Sequence, residues 1–268
     1  MTITDNEHAD LTTPYGSMRT YILRPADQTR RYPGVVLFSE IFQVTGPIHR
    51  TAALLAGHGF VVAVPEVFHE LESQPGVVIP YDTAGADRGN RHKVAKELAS
   101  YDADARAALD YLKTHPACTG RLGTVGICIG GHLAFRAAMN ADVEAAVCFY
   151  ATDIHKRSLA KGMNDNSLDR VKEIKGEIMM IWGRQDPHVP REGRRLVYDA
   201  MADANLNFTW HEFNGQHAFL RDEGHRYDPE LAHLCYGMTV SLFRRRLGPE
   251  MAAVDKGSAT AGASISTH

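Results

Sequence analysis

Several kinds of sequence pattern are missing from this chain of 268 residues. Its four cysteines show no CxxC spacing, which argues against a zinc site or a dithiol redox motif of that type. The sequence has no metal-ligand constellation and no glycine-rich phosphate loop, and we therefore expect no cofactor and no metal. Residues 1–10 lack the basic start and apolar stretch of a secretory signal. Together with the unpatterned cysteines, this predicts a reducing compartment, by default the cytoplasm.

Long apolar runs and an excess of one charge are also missing. No apolar run approaches the length of a membrane span, so no membrane partner is expected. The formal net charge of -3 provides no electrostatic footprint for nucleic acid. We therefore expect a small-molecule substrate, and a monomer or a small homo-oligomer.

The chain has the length and composition of one globular domain. Hydrophobic residues make up 44% of it and charged residues 23%, which is ordinary for a folded domain. There is no internal repeat, and the first clear change in composition comes at residue 248. We predict a single domain over residues 1–247. Residues 248–268 are rich in Gly, Ala, Ser and Thr without periodicity, which predicts a disordered tail.

Apolar runs of strand length alternate with helical patterns along the chain. The predicted strands are 18–23, 34–38, 60–64, 122–127, 145–149, 178–182 and 207–213. The predicted helices are 48–57, roughly 90–113, 129–139, 190–204 and 229–245. Most of these strands are hydrophobic throughout, which is typical of strands covered on both faces. The alternation predicts an α/β fold with a mostly parallel, doubly wound sheet flanked by helices.

A candidate nucleophile stands between a predicted strand and a predicted helix. Residues 126–130 read GICIG, which matches the Gly-x-nucleophile-x-Gly pattern of a nucleophile elbow with Cys128 at its centre. The flanking glycines matter because strand and helix backbones pass too closely there for a Cβ atom. Unpaired N–H groups in the first turn of the helix favour a thiolate at this position. A lone cysteine is more often a small packing residue, but this setting favours a nucleophile.

Two further candidates follow later strands. Asp186 lies in the loop after the strand 178–182, and His217 lies in the corresponding loop one strand later. In doubly wound folds, functional residues collect at the carboxyl ends of the strands. The order nucleophile, acid, histidine is that of α/β-hydrolases, in which the histidine serves as base and the acid orients it.

At this point the sequence resembles the dienelactone hydrolase family, the carboxymethylenebutenolidases. The likeness runs from about residue 19 to residue 248 and depends on four blocks, which read FSEIF at 38–42, GICIGGH at 126–132, GRQD at 183–186 and HAFLR at 217–221. The resemblance implies an α/β-hydrolase fold and hydrolysis of a lactone or ester through an acyl-thioester.

The resemblance also implies roles for individual residues. Cys128 would be the nucleophile, His217 the base and Asp186 its orienting acid, and Glu40 would help to generate the thiolate when substrate arrives. The backbone N–H groups of Ile41 and Ile129 would form the oxyanion hole. Three arginines are candidates for binding a substrate carboxylate, namely Arg221 together with Arg88 or Arg91. The segment 85–90 does not align cleanly with the family pattern, so the second of these arginines stays open.

Three alternatives remain beside this hypothesis. One is a broad-specificity carboxylesterase of the same fold. A second is a cysteine amidase such as a glutaminase, but such enzymes resemble a His-x-Glu pattern that does not occur in this chain. The third is a binding protein without catalysis, for which a cysteine, an aspartate and a histidine in these positions would have no use.

Overall fold

A computed structural model describes residues 1–248 and the backbone of residues 251–252. Within this part of the chain, one sheet contains nine strands. They are β1 Ile3–Thr13, β2 Gly16–Pro25, β3 Arg30–Phe38, β4 Val61–Pro65, β5 Cys118–Ile127, β6 Val143–Phe149, β7 Glu177–Gly183, β8 Phe208–Phe213 and β9 Met251–Ala252.

The strand order gives the sheet its parallel centre and its antiparallel edge. The order is β1-β2-β4-β3-β5-β6-β7-β8, and β9 lies off this path against β3. Neighbours from β4 to β8 are parallel, whereas β1 with β2 and β2 with β4 are antiparallel. The parallel strands therefore end at one edge of the sheet, where residues from distant parts of the chain meet.

Helices cover both faces of the sheet. They are α1 Gly46–Gly57, α2 Thr83–Ala95, α3 Leu98–Thr114, α4 Ile129–Ala137, α5 Arg191–Asp203 and α6 Pro229–Leu247. One apolar cluster contains buried residues of α3, α4 and α5, and a second contains buried residues of α1 and α6. Consecutive residues of β3 alternate between the two, with Val36 in the first and Val35 in the second, because successive side chains of a strand point to opposite faces. This arrangement confirms the predicted doubly wound α/β fold.

All seven predicted strands are present, but two strands, β1 and β9, were not predicted. β1 is polar, and about half of its residues are exposed because it lies at the edge of the sheet and pairs only with β2. Its sequence therefore lacks the apolar run that marked the central strands.

The predicted helix at 90–113 is wrong in one respect, since the structure has two helices there. α2 begins earlier, at Thr83, where the Asp82 side chain caps it by accepting a hydrogen bond from the Gly85 N–H at 2.7 Å. The break falls at Lys96, whose side chain is fully buried and forms ion pairs with Asp104 at 2.8 Å and Glu70 at 3.0 Å. Lys96 and Glu97 have extended backbone conformations, so the helix is interrupted although the helical pattern of the sequence continues across the break.

The predicted disordered tail at 248–268 lies outside the described residues, apart from Gly248 and the short strand β9. Met251 and Ala252 pair with Arg31 and Arg30 at the beginning of β3. Among the described residues, no helix has both the length and the apolar character that crossing a membrane requires.

Candidate active site

The turn after β5 has the geometry of a nucleophile elbow. Cys128 has φ 63° and ψ -120°, and α4 begins at the next residue. A Cβ atom at Gly126 would lie 1.8 Å from the carbonyl oxygen of Gly130, and one at Gly130 would lie 2.1 Å from that of Phe38. Both glycines are thus required by the close approach of the backbones, as the sequence predicts. Backbone hydrogen bonds of Cys128 with Phe149 at 3.1 Å and Thr152 at 3.2 Å hold the turn against β6.

The acid and the histidine meet at the same edge of the sheet. The Nδ1 atom of His217 lies 2.7 Å from Oδ2 of Asp186, and both side chains are almost fully buried. The other carboxylate oxygen, Oδ1, accepts a hydrogen bond from the His188 N–H at 2.7 Å. The two loops are also tied by backbone hydrogen bonds, from Arg184 to Phe213 and from Gln185 to Gly215. The orientation of the carboxylate is therefore fixed before any ligand binds.

The charges around His217 favour its protonated form. Burial disfavours the imidazolium, but the Cys128 side chain, through its charge and a hydrogen bond, and the Asp186 carboxylate together raise the pKa of His217 to about 10. Burial likewise opposes the charge on Asp186, yet the hydrogen bond from His217 keeps the pKa of that carboxyl below its ordinary value. The histidine contacts Asp186 through Nδ1, which leaves Nε2 for the sulfur. Hydrogen bonds therefore connect Cys128, His217 and Asp186 in one series at the carboxyl ends of the parallel strands.

Aromatic rings hold the imidazole in place. The Tyr150 ring packs edge-on against His217 with centroids 4.9 Å apart, and the His188 ring does the same at 4.5 Å. The next residue, Ala218, has φ 64°, a left-handed conformation that residues other than glycine rarely adopt. The His217 ring is therefore confined by its neighbours and by the local backbone.

Glu40 follows β3 and is buried beside the same group of residues. Its carboxylate accepts a hydrogen bond from the Tyr81 hydroxyl at 3.2 Å, and that hydroxyl lies 2.6 Å from the Thr45 hydroxyl. Burial raises the pKa of Glu40, while the charges of Arg221 and His217 and the hydrogen bond from Tyr81 act in the opposite direction. Burial is the largest of these effects, so the pKa of this carboxyl group stays above its ordinary value.

A cavity of about 590 Å³ opens over these residues, and Cys128, His217 and Glu40 line it. Arg221 lines it as well, with its guanidinium 4.3 Å from the centroid of the Tyr81 ring. A cation held over an aromatic face keeps its charge available to an anion in the cavity. The volume is suited to a small organic ligand.

The two residues predicted for the oxyanion hole lie beside the elbow. Ile129 is the first residue of α4, and Ile41 lines the cavity directly after Glu40. The Ile41 segment is held by α2, since a Cβ atom at Gly89 would lie 2.4 Å from the Ile41 carbonyl oxygen. That close contact fixes the backbone from which the Ile41 N–H group projects.

Two predicted substrate arginines lie elsewhere. Arg88 pairs with Glu72, and Arg91 is exposed on α2. Neither is among the described residues that line the cavity, to which α2 contributes Thr83, Ala86, Asn90 and Lys93 instead. The face of α2 that meets the cavity was not predictable because the long helix was predicted to begin near residue 90 rather than at Thr83.

Several residues that line the cavity were not predicted. They include Tyr81, Lys93, Asp153, Lys156, His188, His225 and Arg226. Most of them come from loops, whose paths have no periodic signal in the sequence. Within the part of the chain that the structure describes, no group of three or more His, Cys, Asp or Glu side chains could hold a metal ion.

The mostly parallel sheet, the strained elbow and the acid and histidine on later strands define an α/β-hydrolase. A model of the dienelactone hydrolase family matches residues 18–247. The chain belongs to the dienelactone hydrolase family and is a carboxylic ester hydrolase.

The similar proteins agree with this assignment. The chain is 41% identical over 258 residues to a yeast protein named "Putative carboxymethylenebutenolidase" from Saccharomyces cerevisiae, covering 92% of this chain and 93% of that one. It is 28% identical to the carboxymethylenebutenolidase of a Pseudomonas species, covering 80% and 85% of the two chains. A solved dienelactone hydrolase-like promiscuous phosphotriesterase from metagenomic libraries superposes with a TM-score of 0.74 at 21% identity, over 92% of this chain and 100% of that chain. The last comparison supports the fold alone.

Proposed function

We propose that this enzyme hydrolyses a lactone or ester that bears a carboxylate, with Cys128 as nucleophile in a Cys-His-Asp triad. The observation that carries the proposal is the series formed by Cys128, His217 and Asp186, in which Cys128 and His217 line one cavity and Asp186 holds the histidine. A thiolate beside an imidazolium with a raised pKa is the arrangement that activates a cysteine for acyl transfer.

In the first half of the reaction, the Cys128 sulfur attacks the substrate carbonyl carbon and forms a C–S bond. The carbonyl oxygen takes the negative charge and accepts hydrogen bonds from the backbone N–H groups of Ile41 and Ile129. When the C–O bond breaks, the leaving oxygen departs as an enolate or alkoxide and takes a proton from His217. An enol-lactone suits this mechanism because its leaving enolate is stabilised and needs little protonation.

In the second half, water hydrolyses the acyl-thioester. The neutral imidazole of His217 removes a proton from the water as its oxygen attacks, and the C–S bond then breaks to return the thiolate and release the acid. Asp186 keeps the imidazole in one orientation and tautomer throughout. Glu40, buried near His217, helps to set the charge on the sulfur when a substrate enters.

The anionic character of the substrate follows from Arg221. Its guanidinium lines the cavity beside Glu40 and Tyr81, and arginine binds carboxylates through two parallel hydrogen bonds. Two relatives carry the name carboxymethylenebutenolidase, which agrees with a lactone that bears a carboxylate.

The test compares the wild-type enzyme with Cys128→Ala on cis- and trans-dienelactone and on short neutral p-nitrophenyl esters. We expect the wild-type enzyme to prefer the lactone, and Cys128→Ala to lose at least about 10³-fold in kcat because the nucleophile is gone. Iodoacetamide should modify Cys128 selectively and abolish activity, whereas Cys235→Ala, which removes a buried thiol outside the cavity, should behave like the wild-type enzyme.

Three results would change the proposal. Hydrolysis of neutral esters only would support a broad-specificity carboxylesterase. Full activity in Cys128→Ala would exclude the cysteine mechanism. Inertness toward every ester and toward iodoacetamide would support a binding protein.

We also propose a reducing compartment, such as the cytoplasm, as the location. The four cysteines are free thiols, and Cys128 needs its free thiol for the chemistry above.

A further inference from the structure

The strand β8 lies at the edge of the sheet opposite to β1, and its outer side has no partner strand among the described residues. The N–H groups of Ile178 and Arg184 donate hydrogen bonds to the carbonyl oxygens of Asn207 and Phe213, at 3.1 and 2.7 Å. Because the backbone groups of a strand alternate in direction, every second residue from 207 to 213 bonds to β7. The N–H and C=O groups of residues 208, 210 and 212 therefore point away from the sheet.

β8 has none of the features by which proteins commonly block an exposed strand edge. Its sequence, FTWHEF, contains no proline and no lysine, and its pairing with β7 runs without a bulge. Its one acidic side chain, Glu212, accepts a hydrogen bond from the Trp210 Nε1 atom at 3.0 Å and pairs with Arg194 at 3.2 Å. An open edge of this kind is a template for pairing with another strand.

Large apolar side chains lie exposed beside this edge. Tyr198 of α5 is 43% exposed, and its ring packs edge-on against the rings of Phe208 and Trp210, with centroids 5.4 and 5.3 Å apart. On the opposite face of the sheet, Leu234 of α6 is 49% exposed and lines a groove that reaches β7. Exposed apolar area therefore accompanies the open edge on both faces, as is typical of interaction surfaces.

The charges on the side of α5 next to β8 are divided along the helix. Arg191 and Arg195 lie in its first half and Asp199 in its second, and all three line one surface groove together with Trp210 and Glu212. Because α5 connects two parallel strands, it runs antiparallel to β8. A second copy whose β8 pairs antiparallel with the first consequently places its Arg191 and Arg195 opposite Asp199. This two-fold arrangement brings unlike charges together.

The outward backbone groups also determine the register of such a pairing. The register that uses all of them joins residue 208 to 212, 210 to 210 and 212 to 208 of the second copy. It places the two Trp210 side chains opposite each other on the α5 face, each beside a Tyr198 ring. Aromatic pairs across neighbouring strands stabilise a sheet. On the other face, Thr209 of each copy lies opposite His211 of the second copy.

We propose that β8 is the dimer interface of this enzyme, at which the β8 strands of two copies pair antiparallel and join the two sheets into one. The two-fold axis passes through the Trp210 pair. A second copy fits this edge because the strand, the aromatic rings and the charges of α5 are each complementary to themselves under that axis. None of these side chains is among the described residues that line the catalytic cavity, so the inference does not depend on the proposed function.

Sedimentation velocity of the full chain measures the assembly, and we expect a particle of twice the 29.6 kDa of one chain. Asp199→Arg places a cation opposite Arg191 and Arg195 of the second copy, so the dissociation constant of the dimer should rise about tenfold or more. Asp110→Arg is the matched control. Both aspartates are exposed and pair with an arginine one helical turn earlier, but Asp110 lies on α3, which packs against β1, β3, β4 and β5.

Disulfide cross-linking tests the register. In the proposed pairing, Thr209 and His211 of the two copies form a non-hydrogen-bonded pair, whose Cα atoms lie about 4.5 Å apart, within the range that a disulfide spans. The variant Thr209→Cys/His211→Cys should therefore form a covalent dimer on a non-reducing gel, in a Cys128→Ala background that removes the reactive thiol. Thr209→Cys alone and His211→Cys alone should form none, because neither position lies opposite itself.

Three results would overturn the inference. A wild-type chain that sediments as a single molecule at about 100 µM has no such interface. A dimer that Asp199→Arg leaves unchanged, and that the double cysteine variant does not cross-link, uses another surface. A dimer that is lost from a chain ending at Ala252 depends on residues 253–268 rather than on β8. Ester hydrolysis is assayed separately, so each of these results leaves the proposed function intact.

Discussion

At the scale of single residues, the site depends on a strained backbone and on charges that are balanced in a buried environment. Cys128 and Ala218 both have positive φ values, which cost about 1–3 kcal/mol each in residues other than glycine. The hydrogen bonds and ring packing around His217 hold these conformations in place. The strain therefore serves to bring the sulfur and the imidazole together.

The titration of His217 tests this balance. Cys128 is a main cause of the raised pKa of His217, so Cys128→Ala should lower that pKa from its value of about 10. NMR detection of the imidazole signals of the wild-type and variant proteins as a function of pH measures the change. His211, which is partly exposed in β8, provides an internal reference whose titration should not change. An unchanged His217 pKa in the variant would contradict the coupling of the two side chains.

At the scale of elements, the sequence was enough to predict those parts of the site that are determined by backbone packing and by the order of the strands. The two elbow glycines, the acid loop and the histidine loop were predictable because each follows an apolar strand and the ends of parallel strands converge. The break between α2 and α3 was not predictable, because the pattern of apolar residues does not show that Lys96 leaves the helix and pairs with Asp104 in the interior. Arg226 was missed for a related reason, since only the folded loop places it over the cavity.

A substitution of Gly126 tests the elbow as an element. Gly126→Ala would place a Cβ atom 1.8 Å from the Gly130 carbonyl oxygen, so we expect a loss of about 3 kcal/mol or more in the free energy of unfolding, or failure to fold. Gly237→Ala is the matched control, because it lies within α6 and no atom stands within 4 Å of the added Cβ. It should stabilise the protein by about 0.5–1 kcal/mol, since alanine is the better helix former. Urea denaturation of both variants measures these changes, and equal stability of the two would contradict the packing argument.

At the scale of the whole molecule, buried carboxylates link stability to pH. Burial raises the pKa of Asp165, but the hydrogen bonds from His132, Ser167 and Leu159 together keep it well below the ordinary value of 3.8. A carboxyl with a lowered pKa in the folded state stabilises the protein above its unfolded pKa, and this contribution is lost as the pH falls through its folded pKa. Burial raises the pKa of Glu40 and Glu66 in the folded protein. These two groups therefore lower the free energy of unfolding as the pH rises through their pKa values, which is the opposite of the effect of Asp165.

We therefore expect the free energy of unfolding to decrease steeply below about pH 4, where Asp165 is protonated in the unfolded chain but not in the folded one. Asp165→Asn should be less stable at pH 7 and should show a smaller difference in stability between pH 7 and pH 3. Asp87→Asn, which changes an exposed residue of α2, should keep the pH dependence of the wild-type protein. Urea denaturation at several pH values measures these dependences. An undiminished acid effect in Asp165→Asn would show that other groups cause it.

The pairing of β9 with the beginning of β3 determines where further sequence can be attached. Ala252 lies beside Arg30, whereas the catalytic cavity lies beyond Phe38, about 25 Å away along an extended strand. Further sequence joined after Ala252, such as an affinity tag, a fused domain or a link to a solid support, thus begins at the end of the strands that is remote from the cavity. Immobilised enzyme prepared in this way should leave the path of incoming esters open.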